Sequence, residues 1–293
     1  MKKYGKIIIA FMWLGLTMIM IVGATFAWFA ENRNVSADGM HVQAETASNL
    51  LIRNSDTQTE FDYSADATNS ATTTLSPAST SNTVATGLKA GAFFFADRAN
   101  IEYDSGAATD DTIFSSVVAA NIATDDAVSS GKTYVSKNTF YITAVGDATK
   151  KFENVYISAV TATVSDAAAS QNISKALRVG VVCTNGETTY GYIFAPVTGY
   201  SASYKGIKAA GTGLTSTTLA ADNETITTVG TSATLGELKL GATAGASSNT
   251  LTVYVYVWYE GQDASCTSAN SVNVEELLVK VSFQCSGDPV AQQ

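Results

Sequence analysis

Histidine occurs once in this sequence, at His41, and that scarcity removes whole classes of chemistry. An H-E-x-x-H zinc site needs two imidazoles, and a Ser-His-Asp triad would have to use this one residue close to the amino end. Positive charge is also sparse, with 17 Lys and Arg against 26 Asp and Glu. Such a surface repels phosphate backbones, so nucleic acid is not an expected partner. No G-x-x-x-x-G-K-[ST] loop is present, and the G-T-G-L-T-S at Gly211 lacks the lysine that would reach a phosphate. Acids gather between Asp97 and Asp111 and again at Glu260 and Asp263, but no D-x-D-x-D-G calcium loop is formed. We read these acids as solvated loop charge. No catalytic residue, metal or cofactor is therefore expected, and the chain is not read as an enzyme.

Proline is also rare, at three residues, whereas glycine reaches 22. Long Ser/Thr/Ala-rich stretches alternate with short bursts of Val, Ile and Tyr, a composition that favours strands joined by polar loops over helices. An all-β fold follows. The clearest strand is LLVKVSF, in which Leu277, Val279, Val281 and Phe283 share one face and Leu278, Lys280 and Ser282 the other. In TVYVYVWYEG both faces are apolar or aromatic, as expected of a central strand or one covered by a partner. Further strands are expected at Gly39–Glu45, Ala92–Phe95, Thr139–Val145, Asn154–Val164, Ala176–Cys183, Thr189–Pro196 and near Glu237–Leu240. Asn185-Gly186 marks a tight turn that makes ALRVGVVC and TTYGYIFAP an antiparallel hairpin. Ser64–Ala90, Ala107–Gly131 and Ala202–Thr250 read as long surface loops holding some short strands or a helix, with Val117–Val128 the best helical stretch.

Charge is missing altogether from Ile7 to Ala30, a run that follows the basic MKKYGK. About 20 helical residues span a bilayer, so length alone fits either a retained anchor or a signal peptide. Thr25 and Ala27 occupy the −3 and −1 positions of a signal peptidase site, which favours cleavage before Trp28. A type IV prepilin would need a Glu five residues after its cleavage glycine, but Ala10 stands there after Gly5. The expected organisation is a signal peptide over 1–27, an amino-terminal strand segment over 28–47 and one elaborated β domain over 48–293. The DPVAQQ tail has no second apolar run or sortase-type signal, so covalent wall attachment is not expected.

GATFAWFAENRNVSADGMHVQA resembles the amino-terminal signature of the TasA/camelysin-like secreted proteins of Gram-positive bacteria. The matching positions are Gly23, Thr25, Ala27, Phe29, Ala37, Gly39, Met40 and Val42, with Ala24 intervening where the family sets Gly and Thr side by side. VYVYVWYEGQDASC, Val253 to Cys266, is similar to the W-x-E-G-x-D-x-x-C turn of clostridial relatives. The resemblance implies a jelly-roll-like antiparallel β-sandwich, exported, trimmed by signal peptidase and assembled into extracellular fibres of a biofilm matrix. It also implies homopolymerisation, in which the amino-terminal segment of one subunit completes the sheet of the next, with other matrix proteins as further partners. Metallopeptidase activity, associated with the camelysin branch, is not carried over, because His41 stands alone.

In the donor reading, Gly39, Met40, Val42 and Ala44 form the polymerisation strand, set against His41, Gln43 and Glu45 on its other face. The same strand pairing within its own sandwich is the competing reading. A membrane-tethered binding or adhesion module, retained by Ile7–Ala30, is the alternative function. The three cysteines, Cys183, Cys266 and Cys285, allow at most one internal disulfide. Cys266 can pair with Cys183 or Cys285, and three free thiols is the other reading.

Overall fold

The structure is a computed structural model that describes residues 40–46, 50–56, 60–67, 75–76, 78–80, 93–96, 114–117, 134–164, 173–186, 188–200, 226–245, 249–260, 263, 265–266 and 277–292. Its strands, in chain order, are β1 (Met40–Thr46), β2 (Leu51–Arg53), β3 (Ser64–Asp66), β4 (Ser79–Thr80), β5 (Phe93–Ala96), β6 (Phe114–Val117), β7 (Ser136–Thr143), β8 (Lys150–Val164), β9 (Leu177–Asn185), β10 (Thr188–Phe194), β11 (Thr234–Lys239), β12 (Thr250–Tyr259), β13 (Leu277–Cys285) and β14 (Val290–Ala291). A 3-10 turn at Ile173–Ala176 leads into β9. The all-β expectation holds among the described residues.

Two sheets face one another in a sandwich-like arrangement. The first runs β11-β8-β13-β1-β3, with β14 continuing alongside β8, and the second runs β10-β9-β12-β7-β2. A small third sheet runs β4-β5-β6, and Ala78, just before β4, donates its N–H to the Tyr259 carbonyl at the end of β12, at 3.0 Å. The second sheet is antiparallel throughout, whereas the first contains one parallel pair, β1 with β13. Val42, Ala44, Phe140, Ile157, Val181, Val253, Val279 and Phe283 belong to the core shared by both sheets.

Sequence alternation explains which face each strand buries. Leu277, Val279, Val281 and Phe283 are all buried, while Leu278, Lys280 and Ser282 are only partly covered. β12 is central, as its pattern required. Val253, Val255, Val257 and Tyr259 enter the main core, while Tyr256 and Trp258 join Ala78, Tyr134, Val135, Val182 and Ile193 in a second apolar cluster on the outer face. Both faces of this strand are thus removed from water, which is why it carries no charge.

The hairpin forms where expected, but Asn185 has a different job in it. Asn185 pairs with Thr188 in the ladder, and Gly186, just past Asn185, takes φ of 61°. The Asn185 side chain instead donates through Nδ2 to the carbonyl of Glu237 at 2.6 Å, tying the hairpin to β11 of the other sheet. Tyr192 Oη donates to the Thr234 carbonyl at 2.7 Å along the same seam. The opposite seam closes through backbone bonds between Ile52 and Asp62, of 2.7 and 3.0 Å, which link the chain of β2 to that of β3.

Strand boundaries move outward where neighbours supply pairing the sequence cannot display. β8 begins at Lys150 rather than Asn154, because β11 and β14 both pair with Lys151. Leu51–Arg53, Ser64–Asp66 and Val290–Ala291 are strands too short to carry an alternation signal. The stretch 97–111, Gly211, residues 118–128 of the proposed helix, and the apolar run Ile7–Ala30 with the cleavage residues Thr25, Ala27 and Trp28 lie outside the described residues. Val117 is described, and it ends strand β6.

Candidate functional site

The expected polymerisation strand is β1, apart from Gly39, which lies outside the described residues. It lies between β13 and β3, in parallel register from Met40 opposite Leu277 to Thr46 opposite Phe283. On its other side Gln43, Ala44 and Glu45 pair antiparallel with Asp66, Ala65 and Ser64. Val42 and Ala44 are sealed in the core, as their alternation predicted, and Gln43 faces outward and donates through Nε2 to Asp66 Oδ1 at 2.9 Å. The Ala67 N–H closes the slot by donating to the Val42 carbonyl at 2.7 Å. Within one chain, therefore, this strand completes its own sheet.

Among the described residues, β1 is held there by backbone pairing and two core side chains. Its two described core side chains are small, and β3, which flanks it, is only three residues long. A parallel partner shares no tight turn with it, so β1 and β13 meet only through the fold of the chain between them.

The carboxy-terminal motif forms the opposite kind of site. Glu260 and Asp263, read from sequence as solvated loop charge, are both buried, which corrects that expectation. The reason is Arg178, itself fully buried on β9, whose Nη2 donates to Asp263 Oδ2 at 2.9 Å. Its Nη1 donates to the carbonyls of Lys175 and Leu177 at 2.8 and 3.1 Å. Asp263 Oδ1 accepts from the Ser265 N–H at 2.8 Å, and the Cys266 N–H donates to the Asp263 carbonyl at 2.9 Å. Trp258 Nε1 donates to Glu260 Oε2 at 3.1 Å, while the Glu260 N–H donates to the Ala176 carbonyl at 2.8 Å. Tyr200 covers the guanidinium with its ring centroid 5.3 Å away.

Trp258, Glu260, Asp263 and Cys266 thus belong to one buried polar cluster built around Arg178. Its chemistry is that of a staple, because buried charges persist only when paired and hydrogen-bonded. Sequence reasoning missed Arg178. The available signal was an arginine set between Leu177 and Val179 in the otherwise uncharged strand Leu177–Asn185.

All three cysteines are free, so the disulfide considered from sequence is not made. Cys183 lies on β9 of one sheet and Cys285 on β13 of the other, while Cys266 is enclosed in the motif turn. Burial pushes the Cys183 thiol up to about 12. Burial also raises Cys266 well above the usual thiol range, helped by the negative charges of Glu260 and Asp263 and opposed by Arg178. These thiols are protonated and unreactive at neutral pH.

A polar groove of about 900 Å³ opens beside the seam between the hairpin and β11, with Asn154, Asn185, Thr188, Tyr190 and Glu237 among its walls. Gly236 lies in it with φ of 85°, and a Cβ there would meet Asn185 Nδ2 at 2.8 Å and Tyr190 Oη at 2.9 Å. No helix among the described residues is long and apolar enough to cross a membrane. No known family, curated protein or solved structure matches the chain.

Proposed function

We propose that the protein is a secreted structural subunit of an extracellular fibre, of the TasA/camelysin-like kind, polymerising by addition of its amino-terminal strand to the next subunit. The observation that carries this reading is the slot of β1: a parallel strand at the amino end, filled by Val42 and Ala44, between the edge of β13 and the three-residue β3. A strand held by backbone bonds and two small side chains is exchangeable for the same strand of another copy, since the copy makes identical contacts. Chain export with cleavage before Trp28 frees that segment, and the sandwich then has the jelly-roll-like character of the family. The finished fibre belongs to the cell surface or a biofilm matrix, with other matrix proteins as secondary partners.

Electron microscopy of the exported protein tests this reading. Filaments are expected from the mature chain, and none from a chain lacking residues 28–47. A synthetic 28–47 peptide should bind that shortened chain and raise its unfolding temperature. Filaments that persist unchanged after the deletion sink the proposal, as does a folded shortened chain that ignores the peptide.

The polar groove favours a second reading, a tethered surface module that binds sugars through Asn154, Asn185 and Tyr190. Here the exported chain keeps Ile7–Ala30, and Tyr190→Ala abolishes retention on a polysaccharide column. A mass spectrum showing Trp28 as the first residue removes the tether.

A further inference from the structure

Among the described residues, the longest strand, β8, is paired along only half of one edge. β13 and β14 together run along its other side, but the pairing with β11 ends at Tyr156. The last backbone bonds on that side are at Ile157, which donates to the Ala233 carbonyl at 3.1 Å and accepts from the Gly230 N–H at 2.8 Å. From Ser158 to Val164 no described residue pairs with this edge. Thr161 and Thr163 are exposed, and Val160 and Ala162 are half-buried against the core.

Free edges are hazards that folded proteins blunt with charge, proline or a short strand. Two other edges are managed: β3 is three residues long, and the outer side of β10 is bridged by Ile226, with the Thr227 N–H donating to the Ile193 carbonyl at 2.7 Å. The stretch SAVTATV, Ser158 to Val164, has none of them. It contains no charge, no proline and no glycine, and it is rich in small and β-branched residues.

We propose that this edge pairs with the same edge of a second copy, antiparallel about a two-fold axis at Thr161. The pairing sets Thr161 opposite its own counterpart, Val160 opposite Ala162 and Ala159 opposite Thr163. A two-fold axis brings each residue near its own kind, so a charged edge repels itself and a neutral Thr/Val/Ala edge does not. Thr–Thr and aliphatic cross-strand pairs are favourable, and the partly covered Val160 and Ala162 lose their remaining exposure. The amino-terminal stretch 28–39 fits this edge less well, since it brings Glu31, Arg33 and Asp38 to a strand with no charge to meet them. The contact is separate from donation of β1 and links subunits laterally.

Disulfide trapping on the exported chain tests it. In a Cys285→Ser background, which removes the half-buried native thiol, Thr161→Cys should yield covalent chain dimers under mild oxidant. Thr163→Cys, which faces Ala159 across the axis, should not. Thr161→Lys should weaken self-association by roughly tenfold or more in sedimentation velocity, with the unfolding midpoint unchanged. Absence of trapping at Thr161, equal trapping at both positions, or trapping that vanishes when residues 28–39 are deleted overturns the proposal; the last outcome gives the edge to the amino-terminal segment. Trapped pairs without filaments would leave this inference standing and remove the fibre reading, and filaments without trapped pairs would do the reverse.

Discussion

Two segments of the described chain, β1 and the turn after β12, are fixed by opposite means. Among its described residues β1 enters its sheet through backbone pairing and two small apolar side chains, whereas the turn after β12 is pinned by an ion pair, a tryptophan hydrogen bond and carbonyl contacts, all under full burial. An interaction made of repeated backbone bonds is the same in every copy and exchanges without loss. One made of a charge buried against a unique partner cannot open without stranding both ions. The contrast separates a replaceable element from a permanent one.

Alkali should act on the buried thiols and phenols, two of which adjoin the permanent element, and with the largest effect. Burial raises Cys183 and Tyr256 to about 12, and raises Tyr259 and Cys266 as well. A raised pKa means the folded state holds the proton more tightly, so this stability is complete below the ordinary thiol and phenol values. It is lost as pH climbs from about 9 toward 12. Thermal melts across that window should show a steady fall, and a flat profile would show that these groups are not enclosed.

Arg178→Met comes next. Removing one partner of a buried pair leaves the other charge uncompensated, at a cost of about 3–5 kcal/mol, read from denaturant unfolding. The double change Arg178→Met with Asp263→Leu should recover a large part of it, because no lone charge then remains. A single change costing under about 1 kcal/mol would show that the staple is not what fixes this end.

At the replaceable end, Ala44→Leu overfills a position with no free surface and should cost about 1–3 kcal/mol while also suppressing strand addition in trans. Gly236→Ala sits at neither end. It should cost about 1–2 kcal/mol from its left-handed backbone and its approach to Asn185 and Tyr190, loosening the seam alone. Lys151→Ala breaks a partly exposed ion pair with Glu237 and should change stability by no more than about 0.5 kcal/mol.

Several elements were legible from residue order alone because a local period encodes them. β13 and β12 show their buried faces by alternation, and Asn185-Gly186 marks the hairpin. Val42 and Ala44 were legible for the same reason, as was the presence of a strand there. The buried state of Glu260 and Asp263 was not. Their neutral reading as solvated charge failed because Arg178 lies far away in sequence, and only the pairing of Arg178 with Trp258 in the ladder brings it to the turn. The short strands β2, β3 and β14 were invisible because three residues or fewer carry no period.

The sequence by itself determined an all-β chain and the faces its long strands bury, since composition and a period of two are local properties. Tertiary structure alone decided that β1 lies parallel to β13, that a buried arginine captures the acidic turn, that the three thiols stay unbonded and that no described residue pairs with half of one edge of β8. Each of these depends on which distant strands become neighbours, and a strand's neighbours are chosen by the packing of the whole sheet rather than by its own residues.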